Sequence, residues 1–79
     1  MKVEVRVFSG LENYIPGATF GEVIPVSITD GFTGKELIKS LNIPEDKVFT
    51  FLVNGVHKNL DVILKDGDRV SLFPAVGGG

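Results

Sequence analysis

The sequence predicts an α+β domain in which one main helix packs across a mixed sheet of four to five strands. Three observations carry this prediction: valines alternate with polar residues at the start of the chain, a capping box opens a helical segment in the middle, and an Asn-Gly pair joins two β-rich segments after it. Period-two alternation indicates a strand with one buried face, the capping box marks a helix start, and Asn-Gly favours a tight hairpin. Strands combined with one amphipathic helix are typical of a two-layer domain.

Two strands are predicted before the helix. Residues 2–8 alternate so that three valines share one face, which indicates the first strand. Residues 9–21 have no clean period and contain several glycines and a proline, so we expect an irregular connection there. Alternation resumes over residues 22–29, and the two strands are expected to form an antiparallel pair.

The helix prediction rests on the two ends of the helix. Thr33 and Glu36 have the spacing of a capping box, and Phe32 is placed to pack on Leu37 as a hydrophobic staple. We expect the helix to end at Asn42, because asparagine tolerates the left-handed conformation that closes a helix and because a proline follows two residues later.

Three further strands are predicted after the helix, at residues 48–53, 56–58 and 69–73. Asn54 and Gly55 supply the positive-φ residues of a tight turn between the first two of these strands. The segment 65–68, rich in aspartate and glycine, is typical of a turn before the last strand. Pro74 ends that strand, because proline has no N–H to donate to a neighbouring strand.

The composition excludes several functional classes. At 79 residues the chain has room for one domain, since single domains commonly have about 100–150 residues. Eight basic and ten acidic residues give a net charge of −2 with no Lys/Arg run, which argues against nucleic acid as a partner. No apolar stretch approaches the roughly 20 residues of a membrane span, so we expect a cytoplasmic protein without a membrane partner. The absence of cysteine excludes disulfides, a thiolate nucleophile and thiolate metal sites.

Conventional catalytic and metal-binding groups are sparse. His57 is the only histidine, and without a cysteine or a second histidine we expect it to be solvated or structural and not a metal ligand. Asp66 and Asp68 flank a glycine; they could act as general acid and base, but ordinary turn chemistry is the expected role. The glycines form no nucleotide-binding motif. The chain is therefore expected to have no catalytic residue and to bind no cofactor or metal itself.

The glycine-rich C-terminal segment is the remaining candidate. We expect residues 1–74 to form the domain and residues 75–79 a flexible tail, with a disordered end or a linker as the competing interpretation. Five residues beyond Pro74 reach roughly 16–18 Å, enough to carry a terminal carboxylate into another protein's active site. Glycine has no Cβ and fits a narrow channel. Once an enzyme converts such a carboxylate to an acyl-adenylate, a sulfur or amine nucleophile can attack it, so the carrier needs no catalytic residue.

The sequence resembles one family over nearly its whole length. The segments that carry the resemblance are residues 2–8, 32–38, 51–55 and 64–70, followed by 72–79 with the terminal glycines. They resemble the β-grasp sulfur carriers, relatives of ubiquitin that comprise the small subunit of molybdopterin synthase and the thiamine-pathway sulfur carrier protein. Each motif alone is weak, but their order and the terminal glycine pair make the combination specific. The resemblance implies a ubiquitin-like β-grasp fold.

The resemblance also implies a chemistry for the tail. A ubiquitin-activating-like adenylyltransferase, which uses ATP, adenylates Gly79, and a sulfur donor protein supplies the sulfur of a terminal thiocarboxylate. The thiocarboxylate then gives up its sulfur inside a partner, which is the large subunit of a synthase or a thiazole synthase. Gly77 and Gly78 complete the tail, and the residues implied to guide it are Phe73, Pro74, Ala75 and Val76. The apolar sheet face around Phe49 and Phe51 is implied to dock the partner, with core packing as the competing interpretation.

The pathway that receives the sulfur is argued from three details. Phe73 followed by proline resembles the molybdopterin synthase small subunits, and the length of the 9–21 connection favours the same molybdopterin or tungstopterin side. Gly77, which makes a triple glycine, instead resembles the thiamine-pathway carriers. Two other functions stay open: a ubiquitin-like modifier conjugated to lysines through Gly79, and a passive interaction module in which the tail has no role.

Overall fold

The computed structural model describes residues 1–75. The strands are β1 (Lys2–Val7), β2 (Ile24–Ser27), β3 (Thr50–Val53), β4 (Val56–His57) and β5 (Arg69–Phe73), and the α-helix is α1 (Gly34–Ser40). Two short 3-10 helices cover Leu11–Tyr14 and Glu45–Lys47. Within this described part of the chain, no helix is both long enough and apolar enough to cross a lipid bilayer.

The five strands form one mixed sheet in the order β2-β1-β5-β3-β4. β1 and β5 run parallel to each other, while every other neighbouring pair is antiparallel. The first and last strands of the chain therefore lie side by side in the interior of the sheet. This order, with one helix packed on the sheet, is the predicted β-grasp fold.

The core lies between α1 and one face of the sheet. The three valines of β1 are fully buried, and Val70 and Leu72 of β5 continue the same face. Leu37 and Ile38 of α1 belong to the same buried cluster. Alternation along the strands thus separates this inner face from an outer face that faces solvent. The outer-face residues of β1 and β5 are Lys2, Glu4, Arg6, Arg69, Ser71 and Phe73.

Both ends of α1 form as predicted. The Thr33 hydroxyl accepts a hydrogen bond from the Glu36 backbone N–H at 3.2 Å, and the Glu36 carboxylate accepts one from the Thr33 N–H at 2.9 Å, which completes the capping box. Asn42 has a left-handed φ of 61°. The Ile43 N–H then donates to the Ile38 carbonyl at 3.2 Å, the bond that closes a helix in the Schellman motif.

The hairpin between β3 and β4 also agrees with the prediction. Asn54 and Gly55 have φ values of 53° and 81°, as a tight turn with two left-handed residues requires. The Asn54 side chain also reaches the start of β5. Its Oδ1 accepts a hydrogen bond from the Arg69 N–H at 3.0 Å, and its Nδ2 donates to the Asp68 carboxylate at 2.9 Å. One residue thus makes the turn and ties it to the last strand.

Several strands are shorter than predicted, because a strand extends only as far as its neighbour offers partners. The predicted strand 22–29 is reduced to β2, whose pairing with β1 runs from Ile24 opposite Val5 to Ser27 opposite Lys2. The predicted strand 48–53 begins only at Thr50. The connection 9–21 is irregular as predicted, but it includes the 3-10 helix Leu11–Tyr14.

Candidate functional site

The last strand, β5, leads directly into the C-terminal segment. The Phe49 N–H donates to the Phe73 carbonyl at 2.9 Å from one side of β5, and the Phe8 N–H donates to the Leu72 carbonyl at 3.1 Å from the other. Both neighbouring strands therefore hold β5 to its end. Pro74 has no N–H to donate, and it and the next residue lie outside any strand. The backbone thus leaves the sheet at a defined point between β1 and β3.

Three aromatic rings, which we call the aromatic cluster, lie at this exit: Phe8, Phe20 and Phe73. The rings of Phe8 and Phe73 are stacked, with centroids 4.6 Å apart and an interplanar angle of 6°. Phe20 comes from the connection between β1 and β2 and meets Phe8 edge-on, at 5.4 Å and 85°. Both arrangements are favourable for aromatic pairs. Because Phe20 is 63% exposed, the cluster presents apolar surface to solvent beside the exit.

The structure separates the two phenylalanines that were predicted to share a docking face. Phe51 is 3% exposed, and its ring lies so close to α1 that a Cβ on Gly34 would come within 2.7 Å of it. The prediction that Phe51 docks a partner is wrong: its ring is part of the core, because alternation along β3 points Phe51 and Val53 inward. Phe49 precedes β3 and is 71% exposed, so its docking role stays a prediction.

The predicted tail is only partly described. Phe73 and Pro74 are half-buried, and Ala75 is exposed. The remaining tail residues that were predicted to guide or react, Val76, Gly77, Gly78 and Gly79, lie outside the described residues. Their roles stay predictions, and so does the division of the chain into a domain of residues 1–74 and a tail of residues 75–79.

Asp66, Asp68 and His57 were weighed in the sequence as catalytic or metal-binding residues. The Asp66 carboxylate accepts a hydrogen bond from the Lys2 N–H at 2.8 Å, and the Asp68 carboxylate accepts one from the Lys65 N–H at 2.8 Å. The Asp68 bond lies within the predicted turn, whereas the Asp66 bond joins this turn to the start of β1, so both carboxylates have structural partners. His57 is exposed on β4, and residues 1–75 contain no group of three His, Cys, Asp or Glu side chains arranged for a metal ion.

Phe8 and Phe20 were not among the predicted site residues. The sequence does contain an indication for Phe8. This residue continues the polar side of the alternation after Lys2, Glu4 and Arg6, where another polar residue would be expected. Phe20 has no comparable signal, because it lies in a segment without any period. Only the folding of the connection back onto the sheet brings its ring to Phe8.

Comparisons with known proteins agree with this fold. The ThiS family description matches residues 18–79. The complex of subunits 1 and 2 of the molybdopterin-converting factor from Helicobacter pylori 26695 contains a chain 33% identical to this one, with a TM-score of 0.61 and full coverage of both chains. The HVO 2177 protein of Haloferax volcanii is 25% identical with a TM-score of 0.76, over 100% of this chain and 87% of its own.

SAMP1 from Haloferax volcanii, at 20% identity, a TM-score of 0.72 and full coverage of both chains, shows likeness of fold alone. No curated protein sequence matches the chain. The family match nevertheless spans most of the sequence, from within the first connection through the last strand and the glycines. The chain therefore belongs to the ThiS family of ubiquitin-like β-grasp sulfur carriers.

Proposed function

We propose that this chain carries sulfur as a thiocarboxylate on Gly79, in the synthesis of a molybdopterin or tungstopterin cofactor. The observation that supports this most strongly is the exit: an interior strand held on both sides delivers the backbone beside an exposed aromatic cluster and ahead of the glycines. A carrier of this kind needs an anchored base and a free reactive end, and it needs no catalytic side chain of its own.

The chemistry falls to partner proteins. An ATP-using, ubiquitin-activating-like adenylyltransferase joins the Gly79 carboxylate to AMP and releases pyrophosphate. Sulfide supplied by a donor protein then attacks the acyl carbon, so that a C–S bond forms as the C–O bond to AMP breaks and AMP leaves. The resulting thiocarboxylate donates its sulfur in the next partner. In this scheme the chain binds no cofactor, and ATP belongs to the activating enzyme.

The pterin branch is proposed from the sequence detail at the exit and from one relative. Phe73 followed by Pro74 is the pairing that favours a synthase small subunit. The relative that is 33% identical over its full length is part of a complex of molybdopterin-converting factor subunits 1 and 2. We propose a corresponding large subunit as the acceptor of the tail, with a thiazole synthase as the competing acceptor.

The aromatic cluster is proposed to dock the partner that receives the tail. Phe73 and Pro74 begin the segment that must enter the partner, and Ala75 and Val76 continue it with small or compact side chains. Phe49 lies at the same end of the sheet, since its N–H bonds to the Phe73 carbonyl, and its exposed ring is proposed as a separate contact with the partner.

Intact-mass spectrometry tests the proposal. The purified chain is incubated with the adenylyltransferase encoded in the same genome, ATP and a sulfur donor, and fragmentation then locates any change. We expect the mass increase of one oxygen replaced by sulfur, confined to Gly79, and no change without ATP. A variant lacking Gly78 and Gly79 is the matched control. An unchanged mass with active enzyme would overturn sulfur carriage, whereas isopeptide adducts on lysines would support a protein modifier.

A further inference from the structure

A recess lined by two arginines lies on the outer face of the sheet, beside the hairpin turn. We call it the basic recess; its lining is Arg6, Asn54, Gly55, Arg69 and Ser71. Arg6 lies opposite Ser71 in the parallel pair of β1 and β5, and Arg69 lies two residues earlier on β5 and therefore on the same face. The two arginines thus line one recess from neighbouring strands.

The charge of this face is opposite to that of the whole chain. The chain carries ten acidic and eight basic residues. The charged outer-face residues of β1 and β5 are instead three cations, Lys2, Arg6 and Arg69, and one anion, Glu4. Association is steered by the local potential of the surface that meets the partner, and not by the net charge. The outer side of these two strands therefore carries a local excess of positive charge, with the Asp68 carboxylate, bonded to Asn54, as the anion at the edge of the recess.

The N–H donors of both guanidinium groups have no hydrogen-bond or ion-pair partner within residues 1–75. No side-chain hydrogen bond or ion pair in this part of the chain involves either of them, although Arg6 is half-buried. A guanidinium offers five N–H donors in a planar fork that matches a carboxylate in two parallel bonds. The Asn54 side chain, in contrast, is already bonded to β5 and the preceding turn.

The basic recess is continuous with the exit of the C-terminal segment. Ser71 and Phe73 lie two residues apart on the same face of β5, a separation of about 7 Å along a strand. A protein that packs on the aromatic cluster and takes up the segment beyond Phe73 would therefore also cover the recess. Its surface there must neutralise two arginines, because burying an unpaired charge is unfavourable.

We propose that the basic recess binds aspartate or glutamate side chains of the protein partner that receives the C-terminal segment. The inference rests on the proposed function and adds the chemistry of the partner. Its contact surface has an apolar part that meets the aromatic cluster and an acidic part that meets Arg6, level with Ser71 and about 7 Å from Phe73 along the strand, and Arg69, about 13 Å from Phe73. The apolar part provides affinity, while the acidic part sets the orientation in which the partner docks and speeds its association.

Calorimetric titration of the full chain with the pterin-synthase large subunit encoded in the same genome tests this. The double variant Arg6→Glu/Arg69→Glu is expected to raise Kd at least tenfold in about 50 mM salt, and the loss is expected to shrink severalfold in about 500 mM salt, where surface charges are screened. The neutral variant Arg6→Gln/Arg69→Gln is expected to give an intermediate loss without introducing repulsion.

The matched control is Lys39→Glu/Lys47→Glu, which makes the same change in net charge at exposed lysines of α1 and the following 3-10 helix. We expect it to change Kd less than threefold, because these lysines lie away from the outer face. Circular dichroism of each variant confirms that it is folded. A large subunit in which one acidic contact residue is replaced by lysine is expected to bind the Arg6→Glu/Arg69→Glu variant with part of the lost affinity restored.

The outcomes separate the two proposals. If the wild-type chain binds the large subunit and the arginine variants lose no more affinity than the lysine control, the basic recess has no role in docking and this inference is wrong. If the wild-type chain does not bind at all, the pterin-synthase function fails and the inference fails with it. Saturable shifts of the Arg6 and Arg69 amides with inorganic phosphate, at concentrations that leave other amides unmoved, would make the recess a phosphate site and overturn the acidic-partner assignment.

Discussion

Gly34 occupies the first position of α1, where the core leaves no room for a side chain. A Cβ built there would lie 2.7 Å from the tip of the Phe51 ring and 3.1 Å from the Leu60 carbonyl oxygen. Neither neighbour moves easily, because the ring is 3% exposed in the core and the carbonyl is backbone. The close approach of the helix to β3 therefore depends on glycine at this position.

Replacing Gly34 with alanine is expected to lower the free energy of unfolding by about 1–3 kcal/mol, the usual effect of overpacking a core. Intrinsic helix propensity acts in the opposite direction, by up to about 1 kcal/mol, so the sign of the result shows which effect dominates. Urea unfolding followed by circular dichroism measures it. Lys39→Ala, at an exposed position of the same helix, is the control and should change stability little; a stabilised Gly34→Ala variant would contradict the contact with Phe51.

Phe8 is the central ring of the aromatic cluster, since it touches both Phe73 and Phe20. A Phe8→Leu variant keeps an apolar side chain but removes both aromatic contacts, at an expected loss of about 1–2 kcal/mol of stability. A double-mutant cycle of Phe8→Leu and Phe20→Leu isolates the edge-on pair, for which we expect a coupling of about 0.5–1.5 kcal/mol. Additive single effects would show that the two rings are independent in solution.

At the scale of the element, α1 is defined by hydrogen bonds at its two ends. The capping box of Thr33 and Glu36 satisfies N–H groups that the first turn leaves without partners, and Asn42 closes the other end in a left-handed conformation. The helix has only seven residues, so its ends are a large part of it. Short helices are marginal without tertiary packing, which here comes from Leu37 and Ile38.

Thr33→Ala removes the hydroxyl that accepts the Glu36 N–H and is expected to lower stability by about 1 kcal/mol, within the usual range of about 0.5–2 kcal/mol for N-caps. Thr33→Ser keeps the acceptor and should retain most of the stability. Thr29→Ala makes the same substitution at an exposed threonine outside the helices and strands, and as the control it should change stability little. Thermal unfolding of the three variants gives the comparison, and equal melting temperatures for Thr33→Ala and wild type would contradict the capping role.

At the scale of the whole molecule, the sheet order places β5 in the interior of the sheet. β5 lies between β1 and β3 and is bonded to both, so the exit beside Phe73 is anchored by the sheet and not by a terminal edge strand. The same order puts Arg6 and Arg69 in one recess, although 62 positions of sequence lie between them. The anchored end of β5, the aromatic cluster and the two arginines thus lie on one face.

Removing Gly78 and Gly79 is expected to abolish thiocarboxylate formation while leaving the melting temperature within about 1 °C of the full chain, since the last core residue among residues 1–75 is Leu72. Differential scanning calorimetry and intact-mass spectrometry of the same sample measure both quantities. Retained sulfur transfer by the shortened chain would show that the tail glycines are not the reactive terminus.

The sequence by itself determined the local features of this protein. The capping box, the left-handed Asn42 and the Asn54-Gly55 hairpin formed as predicted, and each predicted strand is present, because each feature depends on residues within a few positions of one another. The β-grasp fold class followed from their order and from the resemblance to a known family. Strand ends were less accurate, since they depend on the length of the neighbouring strand.

Only the tertiary structure decided which residues share a surface. Phe49 and Phe51 have the same parity in the sequence, yet one is exposed and the other is in the core, because β3 begins between them. The aromatic cluster and the basic recess join residues from β1, β5 and the loops, whose proximity results from the parallel pairing of the first and last strands. Such contacts arise from the pairing of strands that are far apart in the sequence, a global property that no local pattern contains.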